Sequence, residues 1–266
     1  MPTRDVSVGS ATLSVTEAGK GSPIVFLHAF PLGARMWASQ LQALPPGWRG
    51  IAPDLRGFAA SRGRVPARDV AAHAEDVLAL AAGLEAGPVV LAGLSMGGYI
   101  AFECWRRRPS MIRGLVLADT RAEADTADGA AKRVTMQGLA SRAGTGAVID
   151  AMLPALLGAT SRTGDPHLGV QVREWAMQTS ADGVIDALEA LRTRPDSRPT
   201  LASITCPTLV IVGEEDVITP PELAAVIADG ITGATLTRIA GAGHLSNVEQ
   251  PEAFNAALAG WLTTIA

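Results

Sequence analysis

Gly93-Leu94-Ser95-Met96-Gly97 follows an apolar run, Pro88–Ala92, and runs straight into a helix-like segment. A serine in a Gly-x-Ser-x-Gly pentapeptide at such a junction is lifted above a sheet edge by a sharp strand-turn-helix, where its hydroxyl can attack. Gly93 and Gly97 flank the turn, where a Cβ would collide as strand and helix close up, and glycine also tolerates strained backbone angles. A serine hydroxyl is a poor nucleophile until a base takes its proton, and the base needs a third group to orient it. Of the four histidines (His28, His73, His167, His244), only His244 lies near the chain's end. It sits in Gly241-Ala-Gly-His-Leu245, directly after the strand-like Ala234–Ile239.

The acid expected between serine and histidine is Asp216, which follows the apolar run Pro207–Val212 and so reaches the same sheet rim. Glu214, Glu215 and Asp119, the last after Leu115–Ala118, are alternatives, and the acids not used would be solvated turn residues. Acyl transfer develops an oxyanion that needs two preorganised donors. Met96 N–H, at the start of the helix behind the nucleophile, is one. The second comes from His28-Ala29-Phe30-Pro31. Pro31 has no N–H, which leaves Phe30. His28 is read as a structural side chain, holding this loop through backbone hydrogen bonds.

The elements that must position these groups alternate along the first half of the chain. Ala11–Val15, Pro23–His28, Gly50–Pro53, Val89–Ala92 and Leu115–Ala118 read as strands. Arg35–Leu44, Val70–Leu84 and Met96–Arg107 read as helices. Near-continuous apolar strands separated by helix-length segments predict βαβ units and a mostly parallel sheet with helices on both faces. Between Arg121 and Pro199 the strand signal stops and apolar residues recur at helical spacing, punctuated at Gly144, Gly158, Gly164 and Asp182-Gly183 into roughly four helices. Strand-helix alternation then resumes with Pro207–Val212, Pro220–Ala228, Ala234–Ile239 and Pro251–Leu262. The expected division is an α/β core of residues 1–120 and 200–266, interrupted by a helical cap of residues 121–199.

Composition narrows the classes. The 266 residues are 48% hydrophobic and 18% charged, enough for a sizeable core. The net charge of −4 and the lack of a basic stripe argue against nucleic acid as a partner. No apolar leader follows Met1, and the uncharged stretch Ala86–Phe102 is broken by Pro88 and glycines, so neither secretion nor a membrane span is expected. Cys104 and Cys206 fall in core-like segments and read as thiols in a reducing cytoplasm. The arginine run Arg106–Arg108 ends a helix before Pro109 and complements its dipole.

With His28–Pro31, Asp54-Leu-Arg-Gly-Phe58, Gly93–Gly97, Gly213–Asp216 and Gly243-His244 in place, the chain resembles the α/β-hydrolase superfamily over nearly its full length. Within it, the chain is most similar to small bacterial carboxylesterases, cofactor-free perhydrolases and 3-oxoadipate enol-lactonases. In those relatives the residue before Phe30 is usually glycine; here Ala29 adds a methyl group to the oxyanion loop. Relatives with an aspartate nucleophile are excluded by Ser95.

The resemblance implies a cytoplasmic serine carboxylesterase that uses neither metal nor organic cofactor and whose partner is a small ester or lactone. Alternatives are an enol-lactonase, which would need cations such as Arg35, Arg121, Lys132 or Arg133 facing the pocket, and a perhydrolase, suggested by Pro31. A ligand receptor of the same fold with slow turnover is the alternative from another class. Leu32, Met136, Met152, Leu153, Leu156 and Trp175 are the candidate substrate-lining residues. His167 and the cap arginines are expected to be exposed.

Overall fold

A computed structural model describes residues 1–63, 65–84 and 87–265. Its centre is a sheet of nine strands: β1 (Thr3–Val8), β2 (Ala11–Gly19), β3 (Gly21–Leu27), β4 (Gly47–Pro53), β5 (Arg62–Gly63), β6 (Val89–Leu94), β7 (Ile112–Ala118), β8 (Thr208–Gly213) and β9 (Thr235–Ile239). The spatial order is β1-β2-β4-β3-β6-β7-β8-β9, with β5 beside β2. From β4 to β9 every neighbouring pair is parallel, and β2 runs antiparallel to β1, β4 and β5. The mostly parallel α/β sheet expected from the sequence is therefore present. β1 was not legible: its Thr-Arg-Asp-Val-Ser-Val is largely exposed and held by ladder hydrogen bonds to β2 rather than by burial.

The helices are α1 (Ala38–Gln42), α2 (Val70–Ala82), α3 (Met96–Arg107), α4 (Ala127–Leu156), α5 (Ala159–Gly164), α6 (Pro166–Ala176), α7 (Ala181–Arg192), α8 (Arg198–Leu201), α9 (Pro221–Gly230), α10 (Ser246–Glu249) and α11 (Pro251–Thr264). Helices α4 to α8 all fall between β7 and β8. The 30-residue α4 is two helices meeting at Gly144, whose φ of +76° a glycine adopts without strain. Thr126 and Ser180 cap α4 and α7, each side-chain oxygen accepting from the backbone N–H three residues on.

Strand pleating explains the uninterrupted apolar runs. Val25, Leu27, Leu91, Leu117 and Val210 belong to one buried cluster, with residues of α2 and α3. Ile24, Phe26, Val90, Ala92, Val116 and Ile211 belong to a second, with Trp37, Phe254 and Trp261. Alternate residues thus feed opposite cores, and both faces must be apolar.

His73 of α2 lies inside this packing, beside Phe58, and neither ring nitrogen has a hydrogen-bond partner among the described residues. Burial, with neighbouring His28 and the Arg56 charge adding to it, pushes its pKa down to about 3. Above pH 6.5 the ring is neutral folded or unfolded. Between 6.5 and 3 only the unfolded chain takes the proton, so stability falls by up to about 1.4 kcal/mol per pH unit from this group. A His73→Leu variant, compared with wild type by guanidinium unfolding at pH 7.5 and 4.5, is expected to lose distinctly less stability on acidification; equal losses would contradict the assignment.

Candidate active site

The chain reverses between β6 and α3 at Ser95, the one residue between them. The strain sits on the serine itself, with φ +54° and ψ −112°, rather than on the flanking glycines. Gly93 and Gly97 answer to space instead. A Cβ on Gly93 would stand 2.3 Å from the Gly97 carbonyl, and one on Gly97 2.1 Å from the Leu27 carbonyl oxygen. Ser95 N–H donates to Ala118 O at 2.9 Å, and Thr120 Oγ1–H donates to Ser95 O at 2.9 Å, so the end of β7 holds the strained residue on both sides.

The sheet edge brings three predicted residues together. His244, on the loop after β9, has Nε2 2.8 Å from Ser95 Oγ. Its Nδ1 lies 2.8 Å from Asp216 Oδ2, on the loop after β8. With the Nδ1 proton on the Asp216 side, the Nε2 lone pair faces the serine hydroxyl. Ser95 is half-buried, whereas His244 and Asp216 are buried. Asp216 also accepts from Ile218 N–H (2.8 Å) and Thr219 N–H (2.9 Å) through Oδ1, and from Thr219 Oγ1–H (2.6 Å) through Oδ2. Thr219, missed in the sequence, is within 3.2 Å of His244 Nδ1 as well. Its position three residues after an aspartate, where side-chain and backbone bonds close an Asx turn, is the signal that could have revealed it.

The other acids are elsewhere, and two of them correct the expectation of solvated turn residues. Glu214 is exposed. Glu215 accepts from Thr160 N–H (2.9 Å) and Oγ1–H (2.5 Å), tying α5 to the acid loop. Asp119 is fully buried and accepts from Gly213 and Ser246, not from His244.

After β3, His28 Nδ1–H donates to Ala29 O and Nε2 accepts from Leu55 N–H, both at 3.0 Å. This is the bonding of a neutral imidazole, and burial lowers its pKa accordingly. Asp54 accepts from Ala34 N–H at 2.7 Å. The Asp54–Phe58 motif therefore braces the loop carrying Phe30, whose peptide bond to Pro31 is cis. Neither Phe30 N–H nor Met96 N–H, the first of α3, donates to an acceptor among the described residues.

The profile of a family described as "Alpha/beta hydrolase family" matches residues 24–257. The chain belongs to the alpha/beta hydrolase family. It is 32% identical over 263 residues to the AB hydrolase superfamily protein YisY of Bacillus subtilis, covering 93% of this chain and 94% of that protein. A thermophilic esterase from Thermogutta terrifontis superposes with a TM-score of 0.94 at 34% identity, covering 100% of this chain and 99% of that one. The enol-lactonase from Burkholderia xenovorans LB400 gives 0.90 at 27% identity, over 98% and 100%.

The other candidate positions on this hydrolase are more dispersed. Leu32 and Leu156 are fully buried, and Met152 packs against both cores. Met136 packs against the core of α2 and α3. Trp175 lines a groove of about 220 Å³ with Arg35, Asp54 and Gln178; Leu153 lines another of about 300 Å³ with Pro154, Leu157 and Arg162. Neither groove is lined by Ser95. His167 is exposed, but Arg194 corrects the expectation of exposed arginines: it is buried, 2.7 Å from Asp125 Oδ1 and stacked on the Tyr99 ring. Among the described residues no cluster of side chains suited to a metal ion occurs, and no helix is long and apolar enough to cross a membrane.

Burial disfavours the imidazolium of His244, but Asp216, with Asp119 and Glu249 behind it, outweighs burial and raises the pKa above 6.5. Burial likewise works against the Asp216 carboxylate, yet the His244 charge and its hydrogen bonds leave it below the usual range. Titration of the His244 ring by NMR is expected to give a midpoint above 6.5. In Asp216→Asn, burial is left with less opposition and the midpoint is expected to drop; an unchanged midpoint would show that Asp216 does not set it.

Proposed function

We propose that this alpha/beta hydrolase is a serine carboxylesterase that cleaves small carboxylic esters through an acyl-enzyme. The observation that carries this reading is the unbroken relay Ser95 Oγ–His244 Nε2 and His244 Nδ1–Asp216 Oδ2, each 2.8 Å. His244 takes the Ser95 proton as Oγ attacks the ester carbonyl carbon. The carbonyl oxygen, now an oxyanion, accepts from the N–H groups of Phe30 and Met96. His244 passes the proton to the leaving alkoxide, a water repeats the cycle, and Asp216 holds the tautomer throughout. The polarising work falls to backbone donors, so the mechanism calls on no cofactor.

In the same reading residues 121–199 form a cap over the core of 1–120 and 200–266, and Leu32, Met136, Met152, Leu153, Leu156 and Trp175 shape the acyl and alcohol sites. Gly158, within that cap and packed against Gly243 beside the base, supports a small substrate. An enol-lactonase reading has less support, because Arg121 and Arg133 both pair with Asp125 while Arg35 and Lys132 are exposed. Cytoplasmic residence is part of the proposal, supported by the free thiols of Cys104 and Cys206.

Ser95→Ala is expected to lower p-nitrophenyl acetate hydrolysis by at least about a thousandfold without changing the circular dichroism spectrum. Acetate and butyrate esters should turn over faster than decanoate. An anionic enol-lactone preferred over every neutral ester would favour the lactonase, peroxide-dependent halogenation in acetate the perhydrolase, and single-turnover binding a receptor. Because the base works unprotonated, kcat/KM is expected to fall about tenfold per pH unit below a midpoint above 6.5. A midpoint well below 6.5 would contradict the role given to His244.

A further inference from the structure

Two buried carboxylates other than Asp216 grip the loop that carries His244. Asp119, at the end of β7, accepts through Oδ1 from Gly213 N–H at 2.8 Å. Through Oδ2 it accepts from Ser246 N–H at 3.1 Å and Ser246 Oγ–H at 2.5 Å. Gly213 closes the strand leading to Asp216, and Ser246 lies two residues past His244, so one carboxylate joins the acid strand to the base loop. Glu249 acts from the other side. Its Oε1 accepts from Gly243 N–H (2.9 Å) and Leu245 N–H (3.0 Å), the residues flanking His244, and its Oε2 accepts from Gly158 N–H (2.7 Å).

The loop needs such support. Gly241 and Gly243 make Gly-Ala-Gly-His intrinsically soft, and Gly241 sits at φ +68°. The transfer of a proton from Ser95 Oγ nevertheless demands that Nε2 be held within a few tenths of an ångström. Buried carboxyl groups are an expensive way to satisfy backbone donors in a dry interior. Here two are set beside a third, Asp216, around a single imidazole. Asp119 also adopts φ +43°, a left-handed backbone in a non-glycine residue. Burial, reinforced by the Asp216 charge, pushes its pKa up, against the pull of His244 and of the bonds from Ser246 and Gly213.

We propose that Asp119 and Glu249 are positioning residues for His244, fixing the base loop between the acid strand and the segment after α4. Neither touches the imidazole; both act on the peptide groups around it. The inference rests on His244 being the base of a serine hydrolase.

The test separates the two. A fluorophosphonate probe, whose phosphorus bonds to Ser95 Oγ as fluoride leaves and His244 takes the proton, counts active sites in the wild type and in Asp119→Asn, Glu249→Gln and Ser246→Ala. Per titrated site, kcat for p-nitrophenyl acetate is expected to fall about 10- to 100-fold in Asp119→Asn and Glu249→Gln, with KM within about twofold. Ser246→Ala removes only the hydroxyl contact and should lower kcat several-fold, so it reports on the Asp119 side even where Asp119→Asn does not fold. Glu249→Gln also loses one of the carboxylates facing the imidazole, leaving Asp216 and Asp119, and its acidic limb should move to lower pH. Folded variants with kcat per site unchanged, or with the loss entirely in KM, would overturn the proposal. A wild type that neither labels nor turns over would overturn the serine-hydrolase reading and the inference with it.

Discussion

Gly97 lies so close to the end of β3 that a side chain there would strike the Leu27 carbonyl oxygen, and most of the sheet's C-terminal edge follows from that contact. It draws the first turn of α3 over β3 and leaves Ser95 as the only link between β6 and α3. It also brings the start of α3 beside the loop that begins at His28. A serine in a left-handed conformation is tolerated because the end of β7 and the turn just past it hold it from both sides, through Ala118 O and the Thr120 hydroxyl. Gly98 extends the same logic, since a Cβ there would stand 2.5 Å from Thr120 Oγ1. The nucleophile, the helix N-terminus and the loop opposite are thus placed by close backbone packing before any side-chain chemistry is considered.

Three buried histidines show how partners, rather than burial, decide what an imidazole does. His28 is satisfied by Ala29 O and Leu55 N–H, stays neutral, and braces a loop. His73 has no hydrogen-bond partner among the described residues, and burial acts on it with little opposition. His244 is as deeply buried, yet its pKa rises because carboxylates face it. A base that is both dry and more basic than free imidazole requires this arrangement.

The helices between β7 and β8 do not merely sit on the sheet. Leu156 O accepts from His244 N–H, Gly158 N–H donates to Glu249, and Thr160 donates to Glu215. Four hydrogen bonds within five residues thus join the end of α4 and the start of α5 to the base loop and the acid loop together. At the other end Arg194, stacked on Tyr99 one turn after Ser95, pairs with Asp125. The segment that borders the site is therefore anchored to the elements that carry Ser95, Asp216 and His244.

Glycine spacing, continuous apolar strands and the order of serine, aspartate and histidine were enough to read the parallel sheet, the helical interruption after β7 and three residues of the candidate site from the chain itself. They are local signals: pleat period, turn chemistry and the position of a polar residue just past a strand. β1 escaped because its pairing with β2 is non-local and leaves a polar pattern. Thr219, Glu249 and the bridging role of Asp119 escaped because nothing in a sequence tells whether an acid or hydroxyl at a strand end faces water or a peptide N–H. Asp216 was the acid expected from the sequence, but where Glu214, Glu215 and Asp119 go instead is decided only in three dimensions. Four carboxylates lie within reach in the sequence, and packing directs one to His244, one to Thr160, one to the backbone of Gly213 and Ser246, and one to solvent.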